Sequence, residues 1–269
     1  MTDLVEIKKR ITNINSIIEI SDAMQIITMI SLGKINKLLH YRHKIQPYYD
    51  RLLLSRKMKL VKSTKKSLLL VFTSQKGLCA SFNQQLLPLL QRYHKNHHVV
   101  LIGAKGKELL EKNNIPYEYY FDAPKKIFNE TITVELSKMI EKKNYPKDIK
   151  VILNQYGNMF TQKPSYFDFF PIEQNVYRNV EAIVDVDIET LDQIILKKYV
   201  KARLYYLFLQ NFAGEIANKF ILMRNAVENG NLLKEELTRQ LYKSRQMLIT
   251  QELTEIITSY KVLQKGKKR

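Results

Sequence analysis

From Glu189 the chain reads ETLDQIILKKYVKARLYYLFLQNFAGEIANKFILMRNAVENG, ending at Gly230. Within it Leu191, Ile195, Tyr199, Ala202, Tyr206, Leu209, Ala213, Ile216, Phe220, Met223 and Val227 are separated by gaps of three and four. That spacing lays apolar side chains along one seam of a helix. No proline interrupts the run, and only Gly214 and Gly230 weaken it. After Gly230 the seam changes phase and resumes at Leu233, Leu237 and Leu241, then at Ile249, Leu253, Ile256 and Tyr260. A continuous helix from Glu189 nearly to the C-terminus would be about 110 Å long at the α-helical rise. Such a helix needs a long partner or an enclosing protein to bury its seam.

The matching element is at the other end. From Asp3 to about Lys44 there is no proline and one glycine, Gly33, and Ile7, Ile11, Ile14 and Ile18 repeat with gaps of four and three. The run from Ile26 to Leu32 is apolar on several sides, the pattern of a helix surrounded by protein. Pro47 marks a kink or the end of the first straight segment. Two matching seams that cannot be buried singly predict an antiparallel coiled coil, joined through whatever lies between.

The intervening stretch has strand character. Leu68-Leu69-Leu70-Val71-Phe72-Thr73 and Val99-Val100-Leu101-Ile102-Gly103 are short apolar runs suited to buried parallel strands. Helical stretches follow them near Phe82 to Tyr93 and Ala104 to Lys112, with capping-box spacing at Ser81-Phe82-Asn83-Gln84. A helix near Thr131 to Lys142 and a strand near Ile149 to Leu153 complete a βα series. The predicted fold is therefore α/β: a long coiled coil of N- and C-terminal helices with an inserted small Rossmann-like domain. The expected boundaries are 1–60 for the first helix, 61–185 for the α/β domain and 186–269 for the second helix.

Composition bounds the function. Of 269 residues, 45% are apolar and 26% charged, with 8 Gly and 7 Pro, so the chain is rich in regular structure. Lys and Arg number 44 against 26 Asp and Glu, a net charge of +18 that favours acidic partners without choosing among nucleic acid, anionic membrane and acidic protein. The single cysteine, Cys79, precludes an intrachain disulfide and fits a cytosolic or matrix-like space. The N-terminus enters a charged helical pattern at once, unlike a signal or transit peptide. No stretch approaches the roughly 20 consecutive apolar residues of a membrane span, so the expectation is a soluble protein that could still dock peripherally on a membrane.

Candidate chemical sites are weak. The strand–loop–helix around Gly77-Leu78-Cys79-Ala80-Ser81 is where a phosphate loop would lie, yet neither G-x-G-x-x-G nor G-x-x-x-x-G-K-[ST] is present. Gly103-Ala104-Lys105-Gly106 is a poorer candidate on the same grounds. Cys79 lies near a helix N-terminus, which would lower a thiol pKa, but no motif nominates a base among His40, His43, His94, His97 and His98. His94, His97 and His98 suggest a metal site, but with no nearby carboxylate in sequence they read better as imidazoles at a helix C-terminus. The 16 tyrosines with the basic charge raise nucleic-acid binding, but the lysines are spread along the chain and no recognised motif accompanies them. No cofactor or metal is expected.

Three stretches carry a specific resemblance. Arg245-Gln246-Met247-Leu248-Ile249-Thr250-Gln251-Glu252-Leu253-Thr254-Glu255-Ile256-Ile257 contains ITQELTEI and is similar to the signature of the F-type ATP synthase gamma family. Thr73-Ser74-Gln75-Lys76-Gly77-Leu78-Cys79-Ala80-Ser81-Phe82-Asn83 resembles that family's TSDRGLCGGLN, and Ser21-Asp22-Ala23-Met24-Gln25 resembles its ITKAMEM segment. Lys198-Tyr199-Val200, Gly214-Glu215, Met223 and Ala226 extend the likeness over essentially the whole chain. Ala80-Ser81 replaces a Gly-Gly, Gly214 a usual serine, and Met29-Ile30-Ser31-Leu32-Gly33 an Ala-Ala-Ser-Lys-rich stretch.

The resemblance implies a non-catalytic rotor shaft turning inside a ring of alpha and beta subunits, with the epsilon subunit and the membrane c-ring at its other end. It implies a peripheral location on the cytoplasmic face of the bacterial inner membrane, with the mitochondrial matrix side second, and no nucleic-acid partner. It further implies contacts with beta at Met24, Arg245, Gln246, Thr250 and Glu252, with Met24 near the others. Asp185, Asp187 and Glu189 fall where the family meets the membrane ring, although ordinary N-terminal helix charge explains them equally well. An enzyme with helical arms would need a phosphate loop or a triad, and a nucleic-acid-binding coiled coil would show a steep salt dependence on duplex DNA.

Overall fold

The computed structural model describes residues 2–55, 67–79, 81–123, 131–143, 148–170 and 188–266. Two helices dominate it, α1 (Thr2–Ser55) and α5 (Ile188–Gly266). Between them lie β1 (Ser67–Phe72), α2 (Leu87–Tyr93), β2 (His97–Ile102), α3 (Lys105–Lys112), β3 (Tyr119–Phe121), α4 (Thr131–Lys142), β4 (Ile149–Tyr156) and β5 (Gln162–Asp168). The chain divides into two compact units, one of Met1–Ile27 with Met223–Arg269, the other of Thr28–Leu222.

The larger unit holds a five-stranded sheet in the order β3-β2-β1-β4-β5. β1 pairs in parallel with both β2 and β4, and β2 with β3. β5 returns antiparallel on β4 through the turn at Gly157 to Thr161. The central β1 is buried from Leu68 to Phe72, as a strand covered on both faces must be. On one face Leu68, Leu70 and Phe72 pack with Leu136 and Ile140 of α4, Leu53 of α1, and Tyr199, Leu204 and Phe208 of α5. On the other, Leu69 and Val71 meet Leu86, Leu90 and Leu110. A third cluster joins Leu32, Ile35 and Leu39 of α1 to Leu209, Ala213, Ile216 and Ala217 of α5, so here the terminal helices pack on each other.

In the smaller unit, the first part of α1 and the last part of α5 form a two-helix seam. The half-buried positions of α1 are Leu4, Ile7, Ile11, Ile14, Asn15 and Ile18, followed by buried Ser21, largely the heptad spacing of a coiled coil. Gly230 faces Ile18 so closely that an added Cβ would stand 2.7 Å from the Ile18 Cγ1. Leu237 is buried there, and Leu241, Ser244 and Leu248 are half-buried.

Several expectations are corrected. Of the kink or end expected at Pro47, the end is excluded, since α1 runs on to Ser55. Beyond the proline, Asp50 accepts hydrogen bonds from Gln46 Nε2 at 2.9 Å and Tyr199 Oη at 3.0 Å, while Leu53 is buried, and these contacts hold the helix past the lost N–H. The helix foreseen from Phe82 is a 3-10 turn, Gln84–Leu86, before α2. Asn83, not the Ser81 of the expected capping box, stands at the N-cap of that turn, and its side chain is engaged by Ser74 rather than capping. β3 and β5 had no sequence counterpart. Gly214 and Gly230 leave α5 unbroken. Ile249, Leu253, Ile256 and Tyr260, read as a continuing seam, are exposed. Within the apolar stretch of α1, Ile26, Ile27, Met29 and Ile30 are exposed, whereas Thr28 and Leu32 are buried.

Candidate functional site

In a doubly wound sheet a ligand crevice opens beyond the carboxyl ends of the strands, at the point where the strand order reverses. Here that point lies between β1 and β4, and α5 fills it. Asn211 Nδ2 donates to Thr73 O at 3.0 Å, and the Glu215 Oε2 accepts from Gln75 N at 3.1 Å. Gln210 Oε1 accepts from Tyr156 N at 3.0 Å, just past the buried Asn154, whose amide donates to Phe82 O. Gly214 lies against the Phe82 ring, where an added Cβ would come within 2.9 Å of Cε2. The absence of a side chain at Gly214 is what lets α5 approach β4 and Phe82 so closely.

Gln75 ties the neighbouring strand ends to this clamp. Its Oε1 accepts from Ala123 N at 2.8 Å and Ala104 N at 3.1 Å, and its Nε2 donates to Asp122 at 3.0 Å. Thr73 Oγ1 donates to Ile102 O at 2.8 Å, and Gly103, at φ +107°, lies so close to Thr73 that no Cβ would fit. The backbone groups that would cradle a phosphate are thus engaged by protein: Gln75 N by Glu215, Ala104 N by Gln75, and Lys105 N by Ser74 O.

At the centre is an ion pair, Lys219 Nζ to Glu215 Oε1 at 2.5 Å, with side chains 11% and 2% exposed. Removing one partner of such a pair strands a buried charge and costs on the order of 3–5 kcal/mol. Burial, with the Glu215 carboxylate adding to it, pushes the adjacent Cys79 thiol up to about 11. Its Sγ donates to Lys76 O and Gly77 O at 3.3 and 3.4 Å. A thiol so placed stays protonated at neutral pH, the opposite of an activated nucleophile.

The histidines do not converge. His94 and His97 engage the Leu90 and Tyr93 carbonyls through Nδ1 at 2.9 and 2.7 Å. His98 pairs with Glu118, a carboxylate that sequence distance had hidden. Among the described residues no group of three metal-ligating side chains comes together.

The residues proposed to meet beta lie in the smaller unit. Arg245, Gln246, Thr250 and Glu252 are exposed, and Gln246 and Thr250 line a groove of about 810 Å³ with Leu4, Met247 and Thr254. Thr250 Oγ1 donates to Gln246 O at 2.9 Å. Met24 is half-buried and is not brought to that groove. Ile18 opposite Gly230 sets an antiparallel register that puts Met24 some twenty residues along α5 from Arg245, about 30 Å at the helical rise. Asp185 and Asp187 lie outside the described residues, as does the Glu189 side chain. The clamp residues Gln210, Asn211, Glu215 and Lys219 were missed as a site; their signal was polarity on an otherwise apolar stretch of helix.

The ATP synthase family model matches residues 3–263. The ATP synthase gamma chain of Rickettsia bellii is 28% identical over 286 residues, covering 96% of this chain and 98% of the relative. That of Malacoplasma penetrans is also 28% identical, covering 97% of this chain and 99% of the relative. A chain of the Euglena gracilis mitochondrial ATP synthase, in an OSCP/F1/c-ring structure, superposes with a TM-score of 0.78 at 14% identity, covering 100% of this chain and 97% of that one. A chain of the Tetrahymena thermophila mitochondrial ATP synthase central stalk and c-ring superposes at 0.60 and 17% identity, over 77% of this chain and 99% of that one. At those identities the structural likeness speaks for the fold, and the match over nearly the whole sequence speaks for descent. The chain belongs to the ATP synthase gamma family.

Proposed function

We propose that the chain is the central stalk of an F-type ATP synthase: a non-catalytic shaft that carries torque between a membrane c-ring and the catalytic sites of the beta subunits. The observation that carries this reading is the clamp. A Rossmann-like crevice that could have held a nucleotide instead grips the protein's own C-terminal helix through Asn211, Glu215 and Lys219, which suits an element that must resist twisting. The far part of α5, exposed from Gln251 to Lys261, suits insertion into a surrounding ring.

In this reading alpha and beta subunits form that ring, the epsilon subunit and c-ring bind the opposite end, and the protein sits peripherally on the cytoplasmic face of a bacterial inner membrane. Domain limits of 1–60, 61–185 and 186–269 divide shaft from inserted domain. Arg245, Gln246, Thr250 and Glu252, exposed on α5, and Met24 at its own level on α1, meet beta loops. Asp185, Asp187 and Glu189 contribute to the foot on the c-ring. Coupling passes through the beta subunits, whose conformations the asymmetric shaft biases in turn.

The test is ATP synthesis against proton pumping in membrane vesicles, normalised to assembled complex. Arg245→Leu, Gln246→Leu and Met24→Lys should each lower synthesis far more than assembly; wild-type coupling in all three would remove the assigned contacts. Neutralising Asp185, Asp187 and Glu189 together should loosen retention on washed membranes, and unchanged retention would leave them as helix-terminal charge.

A further inference from the structure

The loop after β2 is pressed against the end of β1 with no room for side chains. A Cβ added at Gly103 would stand 2.4 Å from Thr73 O, and one at Gly106 2.5 Å from Thr73 Oγ1. That approach brings the Ala104 N–H to Gln75, whose Oε1 accepts it at 3.1 Å together with the Ala123 N–H at 2.8 Å. Gln75 Nε2 donates at 3.0 Å to Asp122, which also accepts from the Tyr120 hydroxyl. The Gln75 N–H is itself held by Glu215 of α5 at 3.1 Å. One half-buried residue thus joins the β2–α3 loop, the end of β3 and the C-terminal helix.

What such a joint adds is direction. Leu68, Leu70, Phe72, Val100 and Ile102 lie in one apolar cluster with Tyr199, Leu204 and Phe208 of α5. Apolar packing is non-directional, so it holds sheet and helix together without fixing the angle between them. Hydrogen bonds weaken steeply when bent and therefore fix that angle. In the strand order β3-β2-β1-β4-β5, β4 is tied to α5 by Tyr156 N to Gln210, and the end of β1 by Thr73 O to Asn211. The β2–β3 half reaches α5 through the side chain of Gln75. An amide suits all these bonds, accepting two N–H groups on its oxygen while donating from its nitrogen to a carboxylate. The resembling pattern TSDRGLCGGLN has an aspartate at the place of Gln75. An ionised acid accepts but cannot donate, and beside Asp122 it would set two carboxylates against each other.

We infer that Gln75 is a positioning residue in rotary coupling: it locks the β2–β3 half of the sheet to α5 against twist, and Asp122 makes the amide, not an acid, the form required. The inference rests on the shaft reading above and adds to it a point at which torque crosses between the inserted domain and the helix. Gln75 acts through Glu215 on one side and through the Ala104 and Ala123 amides on the other.

The experiment uses the assembled complex in membrane vesicles and, beside it, the isolated full chain. Gln75→Glu keeps the size and both acceptor bonds but turns the donor into a second carboxylate, so ATP synthesis per assembled complex should fall. Adding Asp122→Asn returns a donor to the pair and should restore most of that loss. Wild-type synthesis in Gln75→Glu, or a loss that the double variant keeps, would overturn the inference while leaving the shaft reading intact. Poor assembly with wild-type synthesis in each assembled complex would assign Gln75 to stability and overturn it as well. In the isolated chain Gln75→Ala removes the shared acceptor, and hydrogen exchange at the Ala104 and Ala123 amides should quicken by about tenfold, the worth of one hydrogen bond, while Leu70 within β1 keeps its wild-type protection. This second measurement decides the case if Gln75→Glu does not assemble: unchanged exchange at both amides, or equal loosening at Leu70, would overturn the inference. Synthesis by wild-type complexes that lack this chain would overturn the shaft reading and the inference together.

Discussion

On one helix, α5, the residues from Leu207 to Ala217 are buried at every position but Phe212, and those from Gln251 to Lys261 are exposed at every position. Both stretches mix apolar and polar side chains, so composition alone does not separate them. In the first, polar groups are matched within the chain: Gln210 to Tyr156, Asn211 to Thr73, Glu215 to Gln75 and Lys219. In the second, Leu253, Ile256, Ile257 and Tyr260 face solvent together with Glu252 and Glu255. Stability therefore resides in the first stretch, the proposed function gives partner recognition to the second, and substitutions should sort accordingly.

The largest effect should follow Lys219→Met, which leaves the Glu215 carboxylate buried without its cation. Urea unfolding of the chain should show a loss of about 3–5 kcal/mol. A loss under 1 kcal/mol would mean the clamp is not the stable part. Within the smaller unit, Leu237→Ala at the buried seam should cost about 2–3 kcal/mol, whereas Leu253→Ala, 55% exposed, should stay within about 0.5 kcal/mol. Equal costs at the two sites would erase the comparison.

A subtler test exploits two residues that depart together from the resembling family pattern. Phe82 stands where TSDRGLCGGLN has a leucine, and Gly214 where a serine is usual; in the structure they touch. The larger ring and the missing side chain compensate. Gly214→Ser alone should cost about 1–2 kcal/mol by overpacking, and Phe82→Leu should recover part of it in the double variant, a coupling that a double-mutant cycle reads directly. Additive effects would show that the two changes are unrelated.

The smallest signal is chemical. The folded Cys79 thiol titrates at about 11 against the ordinary 9.0. Below pH 9 it is protonated in folded and unfolded chain alike, so it contributes nothing to pH dependence there. Between pH 9 and about 11 the unfolded thiol ionises first, and the folded state loses stability over that window. Alkylation of the native protein should be slow at pH 8 and climb only toward pH 11; rapid alkylation at pH 8 would place Cys79 outside the clamp.

The terminal helices and the βα series were legible because their signals are local: a repeat of three and four, and short apolar runs followed by helical periods. β3 was hidden by its length, Tyr119–Phe121, and β5 by Pro164, which an antiparallel edge strand tolerates. The clamp was illegible for a different reason. Gln75 meets Glu215 across 140 residues and Thr73 meets Asn211 across 138, distances at which no periodicity survives. Glu215 could still have been suspected, since a carboxylate between Ala213 and Ile216 on a seam needs a buried partner. Likewise the apolar stretch of α1 looked like an ordinary buried helix, because sequence shows that Ile26 and Ile27 are apolar but not which way they face.

The measurement that bears most directly on the account is rotation. A bead attached through an added cysteine on the exposed α3 surface, at Glu111, would be followed in complexes whose alpha–beta ring is fixed to glass, with ATP supplied. Cys79, buried and protonated, should not compete for the label. Continuous stepping in one direction, stopped by a crosslink between Tyr260→Cys and the ring and restored on its reduction, is the predicted result. A bead that stays still while the ring hydrolyses ATP at the normal rate would contradict the assignment of this chain as the turning shaft.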